Sequence, residues 1–444
     1  MFARERAGSV PDRVSSVDWK IGDGRQRRGV AKNQQATPRA SAVAFFIKEF
    51  PMTYLDRARA LQDRLVAIRR DLHAHPELFF QEVRTAQRVV EILRELGIEA
   101  QTGIARTGVV AYIGNGAPRL ALRADMDALP IVEANDVPYK SQNPGVMHAC
   151  GHDAHVACLL GAAMLLREDE QRGALRGSVK LLFQPAEENC GADGKSGGRL
   201  MVEEGALDDV DAVAGLHVSS AAPSGEISVR AGAFMAAVDT FEADIIGRGG
   251  HGAYPHQTLD PIWLVAQVVN AIYGIVARRM DPTKHGLISV CSIHAGTTTN
   301  VIPEAVKISG TIRSFDAEVR ARLHRELQNA LALTRAWGGD YKLNLIEGYP
   351  ATVNDARMVE LVRAVARDVV GADKVKEAEL QMGAEDFSFM ARAKPAAFFN
   401  LGAKKDARAR PHHNPIFDID ESVLPIGAAM LAAIAQRFFE SPIK

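Results

Sequence analysis

A set of residues spread along the chain carries the side chains that proteins use to bind divalent metal ions. Each lies beside glycine or proline, and the set is Cys150, His152, Glu187, Glu188, His217, His412 and His413. Thiolate, imidazole and carboxylate are the ligands of zinc-like ions. Of two neighbouring carboxylates, one can bind the metal while the other serves as a general base. These residue types point to metal-dependent hydrolysis.

Each of these signals also has an ordinary structural explanation. The adjacent glutamates of FQPAEE could form a solvated turn, the histidine of GLHV could be a hydrogen-bonded core residue, and the histidines of PHHNP could be a surface pair. Cys150 and His152 are two residues apart, which suits an extended segment rather than one face of a helix. The signals favour one site jointly, because all of them fall where strands are predicted to end.

The surrounding pattern predicts an α/β layered domain with a mostly parallel sheet. Helical spacing of apolar residues occurs over 54–70, 84–96 and 155–166. Short apolar runs typical of strands lie at 109–113, 120–124, 179–183 and 213–217. Ligands bind such sheets at the carboxyl ends of the strands. The polar residues at or just after those ends are Asp125, Asp127, Glu187, Glu188 and His217.

Between residues 237 and 347 the pattern changes to strand, helix, two strands, helix and strand. This order predicts a ferredoxin-like βαββαβ module, a lid or dimerisation domain inserted into the α/β domain. The α/β domain then comprises residues 52–236 and 348–444. Residues 1–51 are Arg-rich and polar with little apolar periodicity, so we expect a disordered or non-native N-terminal extension.

Composition limits the partners that the chain can have. A formal net charge of −1 over 444 residues gives no electrostatic footprint for nucleic acid or for an anionic membrane. No apolar run is evident that would span a bilayer. Four cysteines are too few for a disulfide scaffold of this length, which favours the cytoplasm. We therefore expect small-molecule substrates and self-association.

Two other hydrolytic mechanisms compete with the metal site. Residues 194–198 fit the G-x-S-x-G nucleophile elbow around Ser196, but the elbow requires the serine directly after a strand, and the strand is predicted to end near Gln184. Cys150 as a nucleophile activated by a histidine is chemically possible. That mechanism would leave the glutamates and the other histidines without roles.

The order of motifs gives a family resemblance over about residue 54 to the C-terminus. The motifs are RRDLHAHPEL, RADMDALP, MHACGHDAH, FQPAEE, GLHV, GGHGAYPH, TNVIP, GTIRSFD, GAEDFS and HHNPIFDID. The chain resembles the amidohydrolase branch of the aminoacylase/carboxypeptidase-type metallopeptidases, and is similar to hippurate hydrolases and plant auxin-conjugate hydrolases. The resemblance implies hydrolysis of N-acyl amino acids, such as benzoyl-glycine, to a carboxylic acid and a free amino acid.

The resemblance also implies a site with two divalent ions, Zn, Mn, Co or Ni. The ligands carried over are Cys150, His152, Glu188, His217 and His413, with Cys150 as the bridge. It implies that Glu187 is the general base for a metal-activated water. The broader family has His-x-Asp where this chain has Asp125-Met126-Asp127. We expect Asp127 to orient a ligand, and the role of Asp125 stays undecided.

The inserted domain carries the remaining implied residues. By resemblance, His251 stabilises the oxyanion and reaches the active site of a neighbouring subunit, while Asn300 and Arg313 bind the substrate carboxylate. The chain is then a homodimer through this domain. Two alternatives stay open: a dipeptidase that uses the same metal site, and a non-catalytic binding protein on this scaffold. The intact Glu187 and the intact ligand set argue against the second alternative.

Overall fold

A computed structural model describes residues 52–443 of the chain. The expected N-terminal extension, residues 1–51, lies outside the described residues. The strands are, in chain order, β1 (Ala100–Ile104), β2 (Gly108–Ile113), β3 (Arg119–Asp125), β4 (Ser178–Gln184), β5 (Ala212–Ser219), β6 (Ile227–Val229), β7 (Gly232–Met235), β8 (Ala237–Ile246), β9 (Gly250–His251), β10 (Gly286–Ala295), β11 (Val301–Ile302), β12 (Ala305–Ser314), β13 (Asp340–Glu347), β14 (Thr352–Asn354), β15 (Val375–Glu377) and β16 (Ala396–Gly402). The α-helices are α1 (Tyr54–Arg59), α2 (Gln62–Ala74), α3 (Val83–Glu95), α4 (His152–Gln171), α5 (Gly197–Glu203), α6 (Pro261–Arg279), α7 (Ala317–Ala336), α8 (Ala356–Val370), α9 (Phe387–Ala393) and α10 (Leu424–Glu440).

An eight-stranded sheet in the order β1-β2-β4-β3-β5-β16-β6-β15 forms the centre of the α/β domain. Its four central strands, β4, β3, β5 and β16, run parallel to one another, whereas β2 and β6 pair with them in the antiparallel direction. Every residue of β4 and of β16 is buried, as expected for parallel strands that are covered on both faces. One face packs against helices that include α4 and α10. The expected α/β class and mostly parallel sheet are confirmed.

The structure differs from the sequence prediction at several boundaries. The single helix expected over residues 54–70 is two helices, because the Leu61 amide bonds to the Ala58 carbonyl at 2.9 Å and tightens the chain between them. A capping box formed by Thr53 and Asp56 starts the first of these helices. The helix α4 begins at His152, three residues earlier than its apolar pattern indicated.

A second sheet lies within residues 237–347 and has the order β10-β12-β8-β13, with every neighbouring pair antiparallel. Helices α6 and α7 pack on this sheet around a separate apolar cluster. Burial alternates along β8, where Phe241, Ala243 and Ile245 point into the cluster. One face of the sheet is therefore covered by helices, as in a ferredoxin-like βαββαβ unit. We call this unit the lid.

Two chain segments connect the lid to the α/β domain, and they lie side by side. The Val238 amide donates to the Tyr349 carbonyl at 3.0 Å, and the Gly348 amide donates to the Val238 carbonyl at 3.1 Å. A Cβ atom at Gly348 would lie 2.6 Å from the Val238 carbonyl oxygen. Only glycine permits this close approach of the two connections.

Two segments are long and apolar enough to cross a membrane by length and composition, namely Pro261–Arg279 and Glu421–Glu440. The sequence prediction that no such run exists is wrong on this criterion. The second segment is mostly buried in the core of the α/β domain, and the first packs against the lid sheet. Both therefore have the ordinary role of a helix that covers a sheet.

Candidate active site

The loop between β3 and α4 brings Cys150 and His152 to the carboxyl end of the sheet. Gly151 separates them with a φ of 98°, a left-handed conformation at the N-cap of α4. A Cβ atom there would lie 2.4 Å from the Val218 side chain on β5. Only glycine suits both the left-handed backbone and the close contact with Val218. It allows the Cys150 thiol and the His152 imidazole to face the same strand ends.

Cys150 faces His217, with 3.4 Å between Sγ and Nε2. The Nδ1 atom of His217 bonds to the Val218 carbonyl at 2.7 Å, which leaves Nε2 directed at the sulfur. Burial raises the pKa of the Cys150 thiol well above its ordinary value, and Glu188 raises it further. A thiolate at this position therefore needs a cation beside it, as a metal ligand has.

His152 and Glu188 each present a buried atom that has no hydrogen-bond partner among the described residues. These atoms are Nε2 of His152 and Oε1 of Glu188, which lie 3.8 Å apart, and Oε1 also has an ion-pair contact with His413 at 3.2 Å. Burial alone would lower the pKa of His152, but Asp125, Asp127 and Glu188 raise it to about 10. Buried polar atoms are rarely left unpaired. Two orphaned ligand atoms in surroundings that favour positive charge fit a bound metal ion.

Asp127 holds two of the expected ligands in place. Its Oδ1 lies 3.2 Å from Nδ1 of His152, and its Oδ2 accepts the Glu188 amide at 3.0 Å. The hydrogen bond at Nδ1 leaves Nε2 of His152 as the ligating atom. The orienting role expected of Asp127 stays a prediction, and these two contacts are compatible with it.

The structure separates the roles of His412 and His413. The Nε2 atom of His413 lies 3.2 Å from Oε1 of Glu188, and the side chain is half exposed. In His412, Nδ1 bonds to the Cys150 carbonyl at 3.1 Å and Nε2 accepts the Ser220 amide at 3.3 Å. Both ring nitrogens of His412 are occupied, so this geometry favours His413 as the ligand. His412 instead holds the backbone of Cys150.

Asp125, whose role the sequence left undecided, is engaged on both oxygens. Oδ2 pairs with Arg123 at 2.8 Å, and Oδ1 bonds to Nδ1 of His155 at 2.5 Å. Burial would raise the pKa of Asp125, but Arg123, His152 and His155 lower it well below its ordinary value. The Nε2 atom of His155 accepts the Val218 amide at 2.9 Å. The Asp125–His155 pair therefore supports β5. Oδ2 of Asp125 also lies 3.6 Å from Nε2 of His152.

Glu187 lies beside Glu385 and Asp386, two acids of the GAEDFS motif for which the sequence predicts no role. Carboxylate oxygens of the three residues lie within 4.8 Å of one another. The Asp386 amide donates to Glu187 at 3.4 Å, and Arg123 pairs with Glu385 and Asp386 at 2.8 and 3.1 Å. Burial, followed by the charge of Glu385, raises the pKa of Glu187 well above its ordinary value. The sequence signal that could have identified these two residues is the pair of adjacent acids between apolar residues in GAEDFS.

A cavity of about 830 Å³ opens between these strand ends and the lid. Residues of the expected metal site and base that line it are Cys150, Glu187, Glu188, His217 and His413. Arg313 lines it from β12 of the lid. Its guanidinium is half-buried and makes no hydrogen bond or ion pair with the described residues. An unpaired cation therefore faces the predicted base across one cavity.

His251 and Asn300 are not brought to this cavity within the same chain. They lie next to each other, since the Gly252 amide donates to the Asn300 carbonyl at 2.8 Å, and both are exposed. Nδ1 of His251 accepts the Ala253 amide at 3.0 Å. The structure thus keeps the two residues together on the lid, apart from the metal ligands of their own chain.

Ser196 does not have the setting of a nucleophile elbow. It is buried at the N-cap of α5, where its hydroxyl accepts the Arg199 amide at 3.5 Å. It follows β4 by twelve residues rather than directly. A helix cap accounts for this serine.

Comparison with known proteins places this geometry in context. Residues 121–437 match peptidase family M20/M25/M40. Thermostable carboxypeptidase 1 of Saccharolobus solfataricus is 41% identical over 387 residues, 86% of this chain and 96% of that protein. IAA-amino acid hydrolase ILR1-like 2 of Arabidopsis thaliana is 40% identical over 386 residues, 85% of this chain and 86% of that protein.

A solved structure shows a similar fold along the described chain. The Bacillus subtilis YXEP protein, described as a dinuclear metal binding peptidase from the M20 family, has a TM-score of 0.75 and 33% sequence identity to this chain. The match covers 86% of this chain and 99% of that structure. Similarity therefore extends over the α/β domain and the lid together.

Proposed function

The chain belongs to peptidase family M20/M25/M40, and from that premise we propose that this metal-dependent hydrolase cleaves the amide bond of N-acyl amino acids. The products are a carboxylic acid and a free amino acid. Benzoyl-glycine is the first substrate to test. The relative named an IAA-amino acid hydrolase supports an acylated amino acid as the substrate class.

Arg313 is the observation that carries this proposal. It is unpaired, half-buried and directed into the cavity that also contains Glu187. A guanidinium binds a carboxylate with two parallel hydrogen bonds, so a substrate with a free carboxylate satisfies it. Met235, Val238 and Ile346 supply an apolar wall in the same cavity, which suits an acyl group. An N-acyl amino acid has a carboxylate on one side of its amide bond and an acyl group on the other.

We propose that Cys150, His152, Glu188, His217 and His413 hold two divalent ions. The orphaned atoms of His152 and Glu188 and the buried thiol support this ligand set. Zn, Mn, Co and Ni are all compatible with a site that mixes thiolate, imidazole and carboxylate. When bound, such ions lower the pKa of a water molecule and polarise the amide carbonyl.

The proposed work of Glu187 is proton transfer. Its carboxylate takes a proton from the attacking water and delivers it to the leaving nitrogen. The Asp386 amide holds one of its oxygens, and Asp127 keeps His152 and Glu188 beside it. The carboxylate is buried except where it lines the cavity, so a substrate bound there lies within its reach.

We propose that the chain acts as a cytoplasmic homodimer through the lid. Ile262, Trp263, Tyr273 and Val276 are exposed on α6, an apolar surface of the kind that self-associates. His251 and Asn300 are also exposed on the lid and apart from their own cavity. In a dimer they would complete the partner's site, where His251 donates to the oxyanion and Asn300 assists Arg313.

A carboxypeptidase or dipeptidase is the second candidate, favoured by the relative named thermostable carboxypeptidase 1. A peptide also has a terminal carboxylate, so Arg313 fits both substrate classes. The two functions differ in the group on the other side of the amide bond. A free amine needs a partner there, whereas an acyl group needs the apolar wall.

A substrate screen with matched pairs distinguishes these functions. N-benzoyl, N-acetyl and indole-acetyl amino acids and dipeptides are tested beside the same compounds with a carboxamide in place of the carboxylate. Metal content is measured on the same sample. We expect turnover of the acylated amino acids and at least about ten-fold slower turnover of their carboxamides. Faster cleavage of dipeptides would favour the peptidase, and equal cleavage of carboxamides would refute the role of Arg313.

A further inference from the structure

The turn that carries Glu187 is held by groups from four separate parts of the chain. Ala186 within this turn has a φ of 47°, so its backbone needs external support. The supporting bonds are Ala186 amide to Glu82 (2.8 Å), Gly197 amide to Ala186 carbonyl (2.9 Å), Glu188 amide to Asp127 (3.0 Å) and Tyr349 hydroxyl to Glu187 carbonyl (2.7 Å).

Tyr349 differs from the other three groups because it belongs to a connection between the lid and the α/β domain. Its carbonyl accepts the Val238 amide in the other connection at 3.0 Å. The neighbouring Gly348 is tied to Asp239, whose carboxylate accepts the Gly348 amide at 3.1 Å. Asp239 in turn pairs with Arg320 of α7. The backbone at Tyr349 is therefore bonded to the lid, while its hydroxyl is bonded to the backbone carbonyl of Glu187.

The ring of Tyr349 also lies in the active-site cavity. It lines the cavity that contains Glu187 and Arg313, and it packs edge-on against Phe389 at 6.1 Å between ring centroids. The Cys190 thiol approaches the hydroxyl at 3.9 Å. The hydroxyl donates its single proton to the Glu187 carbonyl, so this bond determines where the hydroxyl points.

We propose that Tyr349 is a positioning residue that couples the orientation of the lid to the placement of Glu187. When the lid moves about its two connections, the Tyr349 hydroxyl pulls on the Glu187 carbonyl and displaces its carboxylate. The base is then correctly placed only while the lid, which carries Arg313, stands over the cavity. The inference rests on the proposed function because it assigns Glu187 as the base. It adds a link between substrate capture and catalysis.

Tyr349→Phe tests the proposal, with Tyr341→Phe as the matched control. Both changes remove one hydroxyl, and Tyr341 lies on β13 with its ring over Arg335, away from the connections. The ring of Tyr349 and its contact with Phe389 are kept. Turnover of benzoyl-glycine, metal content, thermal unfolding and backbone amide exchange over residues 183–191 are measured on both variants and on the unchanged enzyme.

We expect Tyr349→Phe to lower kcat about ten-fold with KM changed less than about two-fold, because the base is misplaced while substrate binding is kept. Amide exchange should accelerate over residues 183–191 only, and metal content and Tm should be unchanged. The control should behave like the unchanged enzyme. Unchanged kcat together with unchanged exchange would overturn the proposal, and so would a lowered Tm with exchange accelerated throughout the chain.

Failure of the proposed function gives a different result. In that case the unchanged enzyme cleaves none of the acylated amino acids, and amide exchange alone decides the inference. Local acceleration over residues 183–191 in Tyr349→Phe would still support Tyr349 as the group that holds this turn. Exchange identical to that of the control would refute it.

Discussion

Two adjacent glutamates after β4 have different surroundings, and we propose different roles for them. Oε1 of Glu188 lies 3.8 Å from His152 and 3.2 Å from His413, whereas a carboxylate oxygen of Glu187 lies near Glu385 and Asp386 as well as near His152 and Glu188. Neighbouring residues in an extended turn point in opposite directions, so one carboxylate can face the metal ligands while the other faces the substrate. The proposed division between base and ligand follows from this geometry.

Glu187→Gln should lower kcat by about 10² to 10⁴-fold while metal content stays at the level of the unchanged enzyme. Glutamine keeps the shape of the side chain and cannot accept the proton. Glu188→Gln is the matched control, and it should lose metal because an amide is a poor ligand for these ions. Kinetics and metal analysis on the same preparations check both. Full turnover in Glu187→Gln with metal bound would remove Glu187 as the base.

His412 and His413 offer a second matched pair. His413→Ala should reduce the metal content from two ions toward about one per chain, because it removes one of the proposed ligands. His412→Ala should keep its metal but lose about 1 to 3 kcal/mol of stability, since the Ser220 amide and the Cys150 carbonyl lose their partner. Metal analysis and denaturant unfolding measure the two effects. The reverse pattern would make His412 the ligand.

The residue types of this site could be read from the sequence, but their contacts could not. The ligand candidates all fall beside glycine or proline at strand ends, which is a local signal. Arg123 and Glu385 are 262 residues apart, and their bond depends on how the sheet and α9 pack. The hydrogen bonds that occupy both nitrogens of His412 are likewise long-range. For that reason the choice of His413 came from resemblance, and the structure supplies its physical basis.

At the scale of elements, the two ends of α4 show what a glycine does for the site. Gly151 precedes the helix with a φ of 98° and no room for a Cβ atom, whereas Gly173 follows it with a φ of 68° and open space. Both positions need the left-handed backbone, but only the first is packed against another element. A substitution at Gly173 therefore introduces backbone strain alone, whereas a substitution at Gly151 introduces both backbone strain and steric conflict.

Gly151→Ala should destabilise the protein by about 2 to 4 kcal/mol and weaken metal binding, because the added methyl group displaces Cys150 or His152 from β5. Gly173→Ala should cost about 1 kcal/mol, the strain of a left-handed alanine alone, and should leave metal binding unchanged. Chemical denaturation and metal titration check both. Equal effects of the two substitutions would mean that the contact with Val218 does not position the ligands.

The elements themselves were predictable to different degrees. The strands β2 to β5 are apolar runs bounded by turns, and the sequence located each of them. The strands β6 and β15 have three residues each and are paired with one another at the edge of the sheet. Three residues are too few to show a period, so only pairing defines them. Local patterns thus locate long elements, and tertiary contacts create the short ones.

At the scale of the whole molecule, the proposed ligand atoms come from widely separated segments, from Cys150 to His413. A metal that binds the folded chain and not the unfolded chain stabilises the fold. Removal of metal by a chelator should therefore lower Tm by a few degrees and abolish turnover, and added Zn or Mn should restore both. Differential scanning fluorimetry and activity assays follow the cycle. Unchanged activity in metal-free protein, with loss in Ser196→Ala, would support the serine mechanism instead.

The lid shows the limit of prediction at this scale. Its βαββαβ order follows from apolar periodicity, but its orientation over the cavity depends on the hydrogen bonds between its two connections. The sequence could therefore name Arg313, His251 and Asn300 without showing which of them faces the cavity of its own chain. Arg313 does, while His251 and Asn300 remain exposed.

A complementation experiment tests whether His251 acts across a dimer. Glu187→Gln and His251→Ala chains, each with a different affinity tag, are co-expressed, and the mixed dimers are isolated beside each parent dimer. In a mixed dimer, one site combines the intact Glu187 of one chain with the intact His251 of the other. Since the two sites of a symmetric dimer are equivalent, the mixed dimer should recover about half of the normal activity. If His251 acted within its own chain, neither site would be complete, and mixed dimers would be as inactive as their parents.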